Sequence, residues 1–219
     1  SMVAENKLRF SASSLNNFIY CSLKYYFNEI KKIRNPDDTE EEIDNKVFGK
    51  ILHDAVSKIY AQIVDVEFDK NIAAQLRKSI STFVKASIAQ EYDKHYHGTG
   101  YTVIIEKIIT EYIERIIASD LKGVTFSPHE IETEKVVVCD IGNGINVKIK
   151  GVFDRIDKVY DGYRIVDYKT GGDEVKDVKK PDDLITNPNY KVNFQLFLYC
   201  WLFLKSHDKE KVNAGIYPL

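Results

Sequence analysis

The chain is poor in the residues that staple or specialise a fold. Only three of its 219 residues are cysteine, at 21, 139 and 200. They form no C-x-x-C pair, which excludes a disulfide framework and a zinc knuckle and fits a reducing cytoplasm. There is no signal peptide, no apolar run long enough to cross a bilayer, no internal repeat and no low-complexity tract, so no membrane partner is indicated. No glycine-rich phosphate loop is present, which disfavours a nucleotide-dependent transferase. Charge of one sign is also lacking: 31 basic residues face 33 acidic ones, for a net charge of −2. A nucleic-acid enzyme of this composition needs a local basic patch, or affinity borrowed from a partner domain.

What remains is 44% apolar and 29% charged, enough for one well-cored globular domain spanning 1–219 with room for a helical insertion at about 69–119. Ser1-Met2 reads as an expression scar, and the abrupt end at Tyr217-Pro218-Leu219 reads as a domain cut from a longer protein.

The organising stretch is GVFDRIDKVYDGYRIVDYKTG, residues 151–171. Alternating apolar positions Ile145, Val147, Ile149 and Phe153, the turn signal Asp161-Gly162, and the β-rich Tyr163–Val166 predict an antiparallel hairpin. Asp167 and Lys169 are two apart on a strand and leave the same face. If Asp161-Gly162 is a two-residue turn, Asp154 stands opposite Lys169; a four-residue loop over 159–162 sets Asp154 opposite Asp167. Either way two carboxylates and one ammonium gather within about 5 to 8 Å. Carboxylates held that close repel unless a cation lies between them, which points to a divalent metal.

G-V-F-D-R-I-D, a turn, and I-V-D-Y-K-T-G together resemble the central signature of the PD-(D/E)XK nuclease superfamily, in the form carried by RecB-type and AddB-type helicase-nucleases. Two further motifs agree in order. Gly49-Lys50-Ile51-Leu52-His53 resembles the GxxxH motif whose histidine binds metal, and Gln195 and Tyr199 in N-F-Q-L-F-L-Y resemble QxxxY. The resemblance implies a metal site of His53, Asp154, Asp167 and the Tyr168 carbonyl holding Mg²⁺ or Mn²⁺. It also implies Lys169 as the catalytic cation, Gln195 positioning water or phosphate, and Tyr199 behind it. DNA is the implied substrate, and a helicase domain or subunit the implied partner.

Along the chain, SASSLNNFIYCSLKYYFNEI (11–30) reads as a serine-capped amphipathic helix with apolar positions Leu15, Phe18, Ile19, Leu23, Tyr26, Phe27 and Ile30. Cys21 sits where AddB-type relatives place the first of four iron-sulfur ligands, the other three lying in a tail beyond the last strand; otherwise it is a buried core cysteine. Residues 35–44 read as an acidic linker. A second helix runs from about Val47 to Val64, burying Phe48, Leu52, Ala55, Val56 and Ile59, with Gly49 leaving room beside His53. Helices at 72–92 and 101–118 follow, the latter presenting Val103, Ile104, Ile108, Ile109, Tyr112, Ile116 and Ile117 to the core. His95 and His97 read as surface residues.

A strand over 129–139 turns at Asn143-Gly144 into the 154-bearing strand. Glu132 and Glu134 share one face; either is able to reach the metal site, and an exposed strand edge explains them equally well. Lys148, Lys150 and Asp154 fall on one face of the next strand, a row that reads first as a solvated strand end and alternatively as a path for a phosphate backbone. A charged loop leads to about Asn187, an apolar helix covers 190–205, and a last strand covers 212–217. The expected fold is α/β: a restriction-endonuclease-like mixed sheet of four to five strands flanked by helices. The expected activity is metal-dependent DNA hydrolysis, as the exonuclease domain of a recombination and repair helicase-nuclease. The alternative is an inactive DNA-binding or scaffold module of the same shape.

Overall fold

The structure, a computed structural model, describes residues 9–33, 45–91, 100–172, 174–208 and 210–218. Its centre is a mixed five-stranded sheet between two helical layers. The elements in chain order are β1 (Arg9–Ser11), α1 (Ala12–Tyr20), α2 (Ser22–Tyr25) continuing into a π-helical turn, α3 (Asn45–Tyr60), α4 (Lys70–Glu91), α5 (Gly100–Asp120), β2 (Phe126–Asp140), β3 (Asn146–Val159), β4 (Gly162–Lys169), α6 (Asp183–Thr186), α7 (Lys191–Ser206) and β5 (Val212–Pro218). The acidic linker at 35–44 and both His95 and His97 lie outside the described residues.

β3 is the spine of the sheet. β2 pairs with it antiparallel along its whole length. On its other edge β1 runs parallel to Lys148–Lys150 and β4 antiparallel to Arg155–Val159. β5 then adds parallel to β4. Residues 151–154 of β3 therefore stand between two pairings, where the sheet forks. β1, three residues long and without a turn signal ahead of it, has no counterpart in the sequence reading.

One side of the sheet carries α3, α4 and α5 around a core that includes Ile51, Leu52, Ala55, Ile59, Leu76, Ile109 and Ile113, closed by Val166 and Tyr168 of β4. The other carries α7 and α1, with Phe194, Leu198, Leu202 and Phe203 packed on Phe153, Ile156 and Ile165. Two expectations about helix faces need correction. On α5 the buried stripe is Ile105, Ile109, Ile113, Ile116 and Ile117, while Val103, Ile104 and Ile108 are exposed. An isoleucine-rich helix has apolar residues on every side, so composition alone misplaced the stripe.

The helix at 11–30 is also not continuous. Ser11 caps α1 in a reciprocal capping box with Ser14. The chain turns extended at Cys21 (φ −163°, ψ 113°), and past it Leu23, Phe27 and Ile30 are exposed. Cys21 is itself exposed, which removes the core-cysteine reading.

Candidate active site at the sheet fork

The β3–β4 hairpin sets the register on which the site depends. Val159 pairs with Gly162 and Arg155 with Val166, so the turn is Tyr160-Asp161 and one step past the last pair Asp154 faces Asp167. This is the second register that the sequence allowed, reached through a shorter loop. Gly162 enforces it: its φ is +124°, and a Cβ there would overlap the Lys211 carbonyl oxygen.

Where β4 parts from β3, side chains replace the ladder. Asp154 Oδ2 accepts a hydrogen bond from the Tyr168 backbone N–H at 2.8 Å. His53, on α3, closes the fork from the helical side: Nε2 lies 3.0 Å from the Tyr168 carbonyl oxygen and Nδ1 3.2 Å from Asp154 Oδ1. Both neighbours are acceptors, so the metal-free imidazole satisfies them best when doubly protonated. Burial pushes it toward neutrality, but the hydrogen bond and charge of Asp154, helped by Asp167 and Glu132, outweigh that and raise its pKa. A Cβ at Gly49 would meet Thr170 Oγ1 at 3.6 Å, so the space this glycine leaves faces the end of β4 rather than the imidazole.

On the α7 side, Gln195 gathers three partners. Its Nε2 donates to Asp167 Oδ1 at 2.9 Å and to Tyr199 Oη at 3.0 Å, and its Oε1 accepts from Lys169 Nζ at 3.0 Å. Lys169 Nζ also lies 2.9 Å from Asp167 Oδ2. That contact is out of hydrogen-bond alignment, and Oδ2 is left buried without a donor. Burial first, then the Asp154 charge, push the Asp167 carboxyl up to about 6 despite Lys169. Gly151 admits this helix, since a Cβ there would lie 2.9 Å from both Leu202 Cδ1 and Tyr199 Cε1.

Glu132, left open alongside Glu134 by the sequence, is the one drawn in. Ligand atoms of His53, Glu132 and Asp154 all lie within 4.8 Å of one another. Glu132 has φ +47°, unusual for a non-glycine residue within a strand. It keeps contact with solvent, yet partial burial and the Asp154 charge push its carboxyl up to about 7. Glu134 instead pairs with Lys150 at 2.8 Å. Asp167 is not part of the tight group of three, its carboxylate being turned to Gln195 and Lys169.

The residues present fit a hard divalent cation. They offer carboxylate oxygens, a carbonyl and one imidazole, and buried Asp167 Oδ2, with the Lys169 ammonium beside it, accepts no aligned hydrogen bond.

Behind Tyr168 lies a cluster that the motif's arginine only hinted at. Arg155 is fully buried and bidentate to Asp120, at 2.8 and 3.0 Å, with Asp157 Oδ1 3.0 Å from its Nε. Its guanidinium lies 4.4 Å from the Tyr60 ring centroid and 5.8 Å from that of Tyr168. Asp120 also accepts from Tyr60 and Tyr217, and although burial pushes its carboxyl up, Arg155 holds it below the ordinary carboxylate range. Tyr168 is thus held from behind while both of its backbone polar groups serve the fork. Asp120, at the end of α5, carries no local sequence signal for this role.

A mixed sheet forked over two aspartates, with a lysine two residues beyond the second, is the arrangement of a metal-dependent phosphodiesterase fold. The family profile of the PD-(D/E)XK nuclease superfamily matches residues 9–219, and the chain belongs to that superfamily, with its restriction-endonuclease-like fold. It is similar to one subunit of the ATP-dependent helicase/deoxyribonuclease of two Streptococcus suis strains, 05ZYH33 and 98HAH33. Identity to each is 24% over 170 residues, which is 76% of this chain and 15% of the relative. The chain therefore corresponds to a small part of the relatives it matches. Among the described residues, no helix is long and apolar enough to cross a membrane.

Proposed function

We propose that this chain is a Mg²⁺- or Mn²⁺-dependent deoxyribonuclease domain. In this reading it is the exonuclease part of a cytoplasmic helicase-nuclease serving DNA recombination and repair, with α4 and α5 inserted into the nuclease fold. The observation that carries it is the fork: Asp154 and Asp167 face each other beside His53 and Lys169, and a buried oxygen of Asp167 accepts no aligned hydrogen bond. The name of the Streptococcus suis relatives supports a helicase as partner.

His53, Asp154, Asp167, the Tyr168 carbonyl and Glu132 would hold the ion. The ion would lower the pKa of a bound water and neutralise phosphate charge. Lys169 presents a fixed positive charge where the phosphate gains negative charge, which stabilises the transition state without reorganisation. Gln195 keeps that ammonium and Asp167 in register, and Tyr199 fixes the rotamer of Gln195. Gln195 is accordingly a positioning residue here, since both ends of its amide are engaged. Cys21, exposed at a helix break, stays available to an iron-sulfur cluster in a full-length protein; residues 1–219 alone should purify colourless, with Cys21 a reduced thiol.

The test is a Mg²⁺ and Mn²⁺ titration with single-stranded and duplex DNA, comparing wild type with Asp154→Ala and Asp167→Ala. Cleavage that needs the ion and vanishes in both folded variants supports the reading. Full activity in Asp167→Ala overturns it, and a folded wild type that binds DNA without cutting it favours the inactive module.

A further inference from the structure

Past the fork, β2 and β3 continue as a two-stranded ribbon with β1 along its side. The register sets Arg9 beside Lys148, Lys148 opposite Val138, Lys150 opposite Val136, and Val152 opposite Glu134. Paired residues share a face, and the even positions of β3 continue on that face to Asp154. The opposite face is the closed one: Ile149 and Phe153 pack against α7 and α1.

The open face is unusual in two respects. Val136, Val138 and Val152 point outward, 47%, 57% and 40% exposed, where a solvated strand normally carries polar residues. Its charge also runs against that of the chain, with three cations, Arg9, Lys148 and Lys150, against two carboxylates, Glu134 and, at the far end of the ribbon, Asp140. Glu134 is held by Lys150 and Asp140 Oδ1 accepts from the Gly142 backbone N–H, which leaves Arg9 and Lys148 as the outer pair of cations.

We propose that this face is the track along which a nucleic-acid strand reaches the fork, with phosphates on Arg9, Lys148 and Lys150 and unpaired bases lying on Val136, Val138 and Val152. The inference rests on the nuclease reading and adds the surface and direction of approach. Two features select nucleic acid over a protein partner. The cations form a row rather than a rim, and the face that carries the row continues past Val152 and Glu134 to Asp154. From Lys148 to Asp154 it extends about 20 Å at the usual strand rise, long enough to contact several nucleotides.

The test separates the track from the chemistry. Binding of a fluorescein-labelled oligothymidylate about twelve nucleotides long is measured across a salt series in the Lys169→Ala background, so it needs no catalysis. Arg9→Glu with Lys148→Glu should weaken binding about tenfold and flatten the slope of log affinity against log salt by about 0.7 for each phosphate no longer neutralised. Lys107→Glu, a similar charge reversal on the exposed side of α5, should leave both unchanged. Val136→Thr with Val138→Thr should weaken binding two- to threefold, in order of magnitude, with the slope intact, because the change falls on the bases rather than on the phosphates.

In the otherwise native enzyme, the Arg9 and Lys148 variants should hydrolyse thymidine 5′-p-nitrophenyl phosphate, too small to reach the track, at the wild-type rate. Equal affinity and slope in the double charge variant overturn the track whatever the catalytic result. Absence of hydrolysis by every protein, wild type included, counts against the nuclease reading and leaves the binding result to decide the track.

Discussion

Asp167→Asn keeps the shape of the side chain and removes its charge, and it should make the metal-free protein more stable while ending catalysis. The folded carboxyl titrates at about 6 against an ordinary 3.8. The folded state thus holds its proton more tightly than the unfolded chain, and wild-type stability falls as pH climbs from about 4 to about 6. Two pKa units at about 1.4 kcal/mol each put the full cost above pH 6 at about 3 kcal/mol. That value already includes the attraction of Lys169, so asparagine, which escapes the cost, gains about 3 kcal/mol, or about 6 to 12 °C in Tm for a chain of this size. Melting curves in EDTA should show the two proteins converging near pH 4 and separating at pH 7.5. Saturating Mg²⁺ should then stabilise wild type and leave the variant unmoved. The reasoning is refuted if Asp167→Asn is the less stable protein in EDTA at pH 7.5, or if it cleaves DNA at the wild-type rate.

Glu132→Gln should weaken Mn²⁺ binding about tenfold. The rise of affinity with pH between 5 and 8 should become shallower by about one proton, since a carboxyl titrating at about 7 no longer competes with the ion; calorimetry over a pH series reads both. Arg155→Met leaves Asp120 and Asp157 buried with only Arg164 nearby, and should cost about 3 to 5 kcal/mol in urea unfolding. Gly151→Ala forces a methyl against Tyr199 and Leu202, for a loss of about 1 to 3 kcal/mol, and lowers kcat more than it changes KM because α7 carries Gln195 away from Lys169.

The hairpin was legible because its information is local. Alternation, a turn signal and two-residue spacing place Asp167 and Lys169, and a motif three residues long on either side places Asp154. What was not legible depends on contacts far apart in the chain. Choosing between the two registers required Gly162 to be seen against Lys211, a contact made only when β5 docks. Separating Glu132 from Glu134 required a left-handed backbone at 132 and a lysine at 150, neither of which alternation encodes. Asp120 joins Arg155 across 35 residues, with nothing around it to mark it as buried. The exposed half of α5 was misread because an isoleucine-rich helix offers several equally apolar stripes, and only the neighbours α3 and α4 select one.

The most direct measurement is single-turnover cleavage of DNA by wild type and Lys169→Met, each first shown by calorimetry to be folded and to bind Mn²⁺. Methionine keeps most of the length of the side chain and removes its charge. Wild type should cut only with the divalent ion present, and Lys169→Met should bind the ion with unchanged or tighter affinity yet cut at least about 10²- to 10³-fold more slowly. Cleavage by wild type in excess EDTA, or equal rates for the two proteins, would contradict the account.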